Sequence, residues 1–315
     1  MSKVAVVGCG VVGASWALVF SRAGFDVSLY DPSPAAQNDT VAFVRSALMD
    51  LKAQGLAGDD PLERVMARLA TTTGLDEALA GADYVQESAP ELLEIKRELY
   101  KKLDTLAAPD VTIGSSTSGL PASSFTEGLA NARRCLVVHP INPPHLIPLV
   151  EIVPAPWTAP EAVEKAARIM RKVGQSPIRL TREINGFVVN RLQSAMLAEA
   201  FRLVEDGICD ASDVDKAVAD GLGLRWFFMG PFETIDLNAQ KGIVEYCKNL
   251  GPMYYGLAKE QADPRDWNPA LVKKIEDHRR LVTPADRLPE RRSWRDRCLA
   301  ALVCAKRQVL AELGP

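Results

Sequence analysis

The segment KVAVVGCGVVG, Lys3–Gly13, sets a five-residue apolar β-run against three glycines at the mouth of an apolar helical stretch that continues to Ala23. Gly8 allows a tight turn, Gly10 lets the backbone approach a pyrophosphate, and Gly13 lets the helix close on the strand. The amides of Val11 and Val12 then stand at a helix N-terminus, where the partial positive charge favours a phosphate. The next strand, DVSLYD, ends on Asp31, where a carboxylate accepts hydrogen bonds from an adenosine ribose diol and repels a 2′-phosphate. The expected cofactor is therefore NAD rather than NADP. A glycine turn that merely packs a helix on a sheet is the bland alternative, and FAD-binding folds share the same fingerprint. The apolar opening also has the look of a signal peptide, but its glycines and its strand fit a folded nucleotide site better.

Beyond this segment, β-type runs alternate with amphipathic helical stretches, the pattern of a parallel sheet covered on both faces. Strands are expected at Lys3–Val7, Asp26–Tyr30, Tyr84–Gln86, Thr112–Gly114, Cys135–Val138, Leu149–Val153 and Pro177–Leu180. Helices are expected over Val11–Ala23, Ala35–Gln54, Leu92–Leu106 and Pro160–Val173. After Leu180 the character changes to helices alone, beginning with the periodic stretch Val188–Glu205. The reading is an α/β Rossmann-type, doubly wound domain over 1–183 followed by an all-α domain over 184–315, with the boundary near Glu183. Thr283–Arg292, charged and holding two prolines, reads as a solvated loop before a last helix, Trp294–Leu313. No internal repeat is visible.

With 315 residues, 47% of them hydrophobic, the chain is long enough for two cored domains. A net charge of -3 leaves no excess of cations for a nucleic-acid backbone. No stretch reaches the length of a membrane span. Six cysteines without a CxxC pair suit reduced thiols in the cytoplasm, and no metal site is expected.

A dehydrogenase needs a group to take the hydroxyl proton as hydride leaves, and the sequence holds three histidines. His278 lies in the charged run KKIEDHRR, and His145 in the proline-rich PPHLIP. His139 follows the apolar strand RCLVV, where a strand end faces the ligand crevice of an open α/β sheet. If the strand LVEIV is its neighbour, Glu151 can orient the imidazole; on spacing alone the pair is as readily incidental. Ser118, in GSSTSG, reads as a substrate-positioning hydroxyl or a turn serine. Asn190, a polar residue in the apolar run NGFVVNR, reads as an amide reaching the substrate or a packing residue.

Together, GCGVVG, SSTSGL, HPINPPHLIPLVEIV and NGFVVNRLQ resemble the 3-hydroxyacyl-CoA dehydrogenase superfamily, over nearly the whole chain. GLGLRWFFMGPFETIDLNA and RRSWRDRCL resemble its lambda-crystallin branch, whose enzyme is L-gulonate 3-dehydrogenase. The resemblance implies His139 as base, Glu151 as its partner, and Ser118 and Asn190 as groups on the substrate. It places Glu91 and Lys96, in QESAPELLEIK, beside the nicotinamide, with surface helix residues as the plain alternative. It also implies a homodimer through the helical domain. Arg225 stands where hydroxyacyl-CoA enzymes tend to have a small apolar turn, and an arginine fork there suits a free carboxylate, the alternative being a structural salt bridge. The expected reaction is NAD-dependent oxidation of the 3-hydroxyl of a small hydroxy acid such as L-gulonate. L-carnitine dehydrogenase and short-chain 3-hydroxyacyl-CoA dehydrogenase are the rivals, and a non-catalytic crystallin-like protein is the rival from another class.

Overall fold

The computed structural model describes residues 2–314. Eight strands, β1 (Lys3–Val7), β2 (Asp26–Tyr30), β3 (Leu69–Thr71), β4 (Tyr84–Glu87), β5 (Thr112–Ser115), β6 (Cys135–Pro140), β7 (Leu149–Pro154) and β8 (Ser176–Arg179), form one sheet in the order β3-β2-β1-β4-β5-β6-β7-β8. The first six strands follow the Rossmann order, with the switch point between β1 and β4. Alternate residues of each strand feed opposite faces. Val4 and Val6 join one apolar cluster with Trp16, Phe20 and Leu48, while Ala5 and Val7 join another with Tyr100, Leu103 and Phe125. Helices α1 (Val11–Arg22) and α2 (Pro34–Ala53) contribute to the first cluster, and the helix Leu93–Leu106 to the second.

The seven expected strands all form. β3 escaped notice because three residues, two of them exposed, carry no readable alternation. The sheet is not wholly parallel, because β6 and β7 run antiparallel. The eight residues between them are too few for a helical crossover, which needs a dozen or more, so the chain must turn straight back.

The chain forms two compact units. The first runs to Val189 and is rejoined by the residues from Asp296 onward; the second is Asn190–Arg295. The return has a packing cause: Ala300 is buried in the first apolar cluster, with Leu299, Val303 and Cys304 against it. The second unit is helical, with a small core around Val204, Ala211 and Leu271. The segment expected as a loop, Thr283–Arg292, is helical from Leu288, where one helix continues to Leu313. Pro289 sits in its first turn, where the missing N–H has no intrahelical partner to lose, so the proline starts the helix rather than breaking it. No helix among the described residues is long and apolar enough to cross a membrane.

Candidate active site

The glycine turn is built around the three roles that the sequence suggests. Gly8 has φ +98°, and a side chain there would lie 2.6 Å from the Ser88 carbonyl. A Cβ on Gly13 would lie 1.8 Å from the Gly8 carbonyl oxygen, so helix and strand approach each other as only glycine permits. A Cβ on Gly10 would meet nothing within 4 Å. Its open side faces the crevice, where a pyrophosphate needs room. Gly10 caps α1 without a side-chain hydrogen bond, which leaves the amides of the first turn, including Val11 and Val12, unclaimed by a cap. Asp31, at the end of β2, accepts the Cys9 N–H on one oxygen and the Ser33 N–H on the other, each at 2.9 Å. Lone pairs remain on both oxygens for a ribose diol. A crevice of about 860 Å³ runs along this edge, lined by Gly8, Gly10, Asp31, Ser88 and Ile95 among others. The open face of Gly10, the uncapped helix and the free acceptor capacity of Asp31 fit NAD. Cys9 is a buried thiol, pushed up to about 11 by burial and the charge of Asp31, and stays inert.

His139 and Glu151 sit directly opposite each other on β6 and β7, so the antiparallel pairing brings together two side chains twelve residues apart. Their Nδ1–Oε2 distance is 2.7 Å. Glu151 is fully buried and His139 is 5% exposed. The other Glu151 oxygen accepts the backbone N–H groups of Val188 at 2.7 Å and Val189 at 3.0 Å. Burial alone would raise the Glu151 carboxyl, but the hydrogen bonds from His139, Val189 and Val188 outweigh it and hold it below its ordinary value. A carboxylate fixed in this way requires a proton on Nδ1 and leaves the Nε2 lone pair as the acceptor.

Phe187, which the sequence reading passed over, makes this possible. It is fully buried, packs against the His139 ring at 5.6 Å between centroids, and has φ +50°. Such a conformation costs a bulky residue on the order of 1 kcal/mol or more. Following Gly186 at φ 74°, it turns the chain so that both valine amides meet Glu151. The Asn185–Gly186 dipeptide was the available turn signal.

Ser118 lies just beyond the C-terminal end of β5, on the same edge of the sheet as His139 near the end of β6. Glu91 and Lys96, which the resemblance places beside the nicotinamide, are each held by contacts within the chain. Lys96 is 1% exposed and its ammonium lies 2.8 and 3.0 Å from the Glu87 oxygens, in the interior rather than on the surface. Ser115 donates to the same carboxylate at 2.5 Å. Glu91 turns to the loop of Ser118, accepting from the Thr117 hydroxyl and from the amides of Ser118, Gly119 and Leu120.

His145 lies 3.2 Å from the Ser15 hydroxyl, and His278 is on the helix Pro269–Val282 of the second unit. Asn190 opens that unit, in the first turn of the helix Val189–Glu205. Arg225, on the short helix Gly223–Trp226, is exposed and forms no ion pair with a described carboxylate. Tyr246 and Tyr254 hydrogen-bond through their hydroxyls at 2.9 Å, which raises the Tyr246 phenol against the opposing charge of Arg225.

Family models of 3-hydroxyacyl-CoA dehydrogenase match almost the whole length: the NAD-binding domain over residues 3–184 and the C-terminal domain over 186–284. The lambda-crystallin homolog of Bos taurus is 43% identical over 97% of this chain and 96% of its own length. The L-carnitine dehydrogenase of Pseudomonas aeruginosa is 37% identical over 98% and 95%. Among solved structures, the 5-formyl-3-hydroxy-2-methylpyridine 4-carboxylic acid 5-dehydrogenase, an NAD+-dependent dismutase, superposes with a TM-score of 0.83 at 27% identity, covering 98% of this chain and 99% of that one. With this match over both units, a cradle that fits NAD and a paired imidazole at the strand edge, the chain belongs to the 3-hydroxyacyl-CoA dehydrogenase family and is an NAD-dependent oxidoreductase acting on a CH–OH group.

Proposed function

We propose that the chain oxidises the 3-hydroxyl of a small free hydroxy acid, L-gulonate, with His139 as general base. The observation that carries the chemistry is the 2.7 Å contact between His139 Nδ1 and a Glu151 carboxylate that is itself tied down by two backbone amides. Bound NAD supplies the hydride acceptor. Nε2 of neutral His139 takes the hydroxyl proton, and Glu151 stabilises the imidazolium that results. Ser118 and Asn190 hold the substrate hydroxyl and the developing carbonyl oxygen, and the glycine turn with Asp31 orients the cofactor.

Two observations favour a free acid over a thioester. Arg225 is exposed and, among the described residues, forms no ion pair with a carboxylate, which supports a role for its fork on a ligand. The structural neighbour quoted above is a dehydrogenase of a free carboxylic acid. L-carnitine, which also carries a carboxylate, is the second reading, supported by the Pseudomonas relative. Large exposed apolar side chains in the second unit, Leu192, Phe232 and Val244 among them, support association with a second copy. Six free cysteines accord with a reducing, cytoplasmic setting.

The test is the initial rate of NADH formation with L-gulonate, L-carnitine and L-3-hydroxybutyryl-CoA in parallel. The highest kcat/KM with L-gulonate is the expected result, and preference for the thioester overturns the free-acid reading.

A further inference from the structure

Tyr84, Gln86 and Ser88 alternate along β4 and one residue past it, so their side chains share one face of the sheet, the face on which Tyr84 joins Trp16 of α1. The Ser88 N–H donates to the Val7 carbonyl at 2.7 Å, which carries the ladder beyond the strand. On β5, Gly114 leaves the room that the Tyr84 hydroxyl takes, since a Cβ there would collide with that oxygen. Polar groups placed in an apolar layer have to satisfy one another, and these do so in a single chain.

The direction of every hydrogen bond in that chain follows from its chemistry. The Gln86 amide lies 3.3 Å from the Val138 carbonyl, which can only accept, so its NH₂ faces that carbonyl and its oxygen faces Tyr84. The Tyr84 phenol, kept protonated by burial, donates to that oxygen at 2.7 Å. The other Gln86 hydrogen goes to Ser116 Oγ at 2.7 Å, and the Trp16 indole N–H, which can only donate, goes to the same oxygen at 3.1 Å. Both lone pairs of Ser116 Oγ are then occupied. Its third contact, 2.9 Å to Ser88 Oγ, must use its own hydrogen, with Ser88 accepting. The Ser88 hydrogen is left over, and among the described residues Ser88 Oγ bonds to Ser116 alone.

Ser88 is half-buried and lines the crevice with Gly8, Gly10 and Asp31. Its carbonyl lies 2.6 Å from the place of a Cβ on Gly8, and its own Cβ lies 3.5 Å from the place of one on Gly13, so it sits against the glycine turn. We propose that the Ser88 hydroxyl donates a hydrogen bond to an oxygen of NAD where the cofactor passes the glycine turn, and that Gln86, Trp16 and Ser116 fix the direction in which it donates. A donor oriented before the ligand arrives loses little rotational freedom on binding. The proposal rests on NAD lying along this turn and is independent of which hydroxy acid is oxidised.

The experiment measures NADH affinity by fluorescence titration, and the melting temperature of the cofactor-free protein, for S88A, S116A and S88A/S116A. S88A is expected to bind NADH about tenfold more weakly, the order of a lost hydrogen bond to a charged oxygen, with its melting temperature unchanged. S116A is expected to melt lower, because the buried Gln86 and Trp16 donors lose their acceptor, and to lose a smaller factor in NADH affinity, because Ser88 can then turn its hydrogen aside. The double variant is expected to bind NADH no more weakly than S88A. An S88A with wild-type NADH affinity overturns the proposal, as does an S88A that melts as low as S116A. Multiplicative losses of affinity in the double variant overturn the role of Ser116. Should S88A fail to fold, S88C, whose thiol is a weak donor, carries the same comparison.

Discussion

Replacing Glu151 by glutamine changes one atom, and the structure sets the consequence. Oε1 accepts two backbone amides, Val188 and Val189, while Oε2 faces His139 Nδ1. The glutamine must keep its single oxygen on the valine amides, since turning its NH₂ there would oppose two donors in a buried site at a cost of about 1–3 kcal/mol. The NH₂ then faces Nδ1, and His139 must move its proton to Nε2, the atom that accepts the substrate proton in the proposed reaction. The fold and the cofactor site are untouched, yet the base carries the wrong tautomer. The same exchange in a Ser-His-Asp triad slows kcat by about 10⁴, and a loss of 10³–10⁴, roughly 4–5.5 kcal/mol of barrier, is expected here. The assay is pre-steady-state NADH formation, with NADH affinity and a thermal melt as controls. An E151Q protein that folds, binds NADH and keeps more than a tenth of wild-type kcat refutes the orienting role of Glu151.

Gly13→Ala places a Cβ 1.8 Å from the Gly8 carbonyl, so α1 must back away from β1; NADH affinity should fall by at least tenfold and the melting temperature should drop, as titration and calorimetry would show. Lys96→Met strands the fully buried Glu87 carboxylate without its cation, a loss of about 3–5 kcal/mol, or roughly 10 °C in Tm by calorimetry. Arg225→Met should raise KM for the acid by about tenfold or more while sparing NADH affinity, as expected for a lost carboxylate clamp, and an unchanged KM removes Arg225 from the site. Glu151 and Glu91 titrate below the ordinary glutamate value in the folded protein, so their stabilising contribution is complete above that value and is lost as pH falls through the lowered one. E151Q should therefore show a shallower acid-side loss of stability than the wild type in denaturant titrations across pH 6 to 3.

Most of the Rossmann half was legible because its signals are local. An apolar run, a glycine turn and a terminal carboxylate each act within a few residues, and Lys3–Val7, Gly8–Gly13 and Asp31 appear where the pattern requires them. Among three histidines, the sequence singles out His139 as the candidate base by its place at a strand end. Its partner could not be settled from spacing, because twelve residues of sequence become a direct cross-strand pair only once β6 and β7 turn antiparallel. Tertiary structure alone decided that Phe187 would adopt a left-handed conformation to aim two amides at Glu151, and that the tail from Asp296 would return to the first unit. It also decided that Lys96 would be buried on Glu87 while Glu91 gathered the loop of Ser118. The division has a physical cause. Turns, strand periodicity and helix starts depend on neighbours along the chain, whereas the partner of a buried charge depends on which distant segments the sheet brings within 3 Å of it.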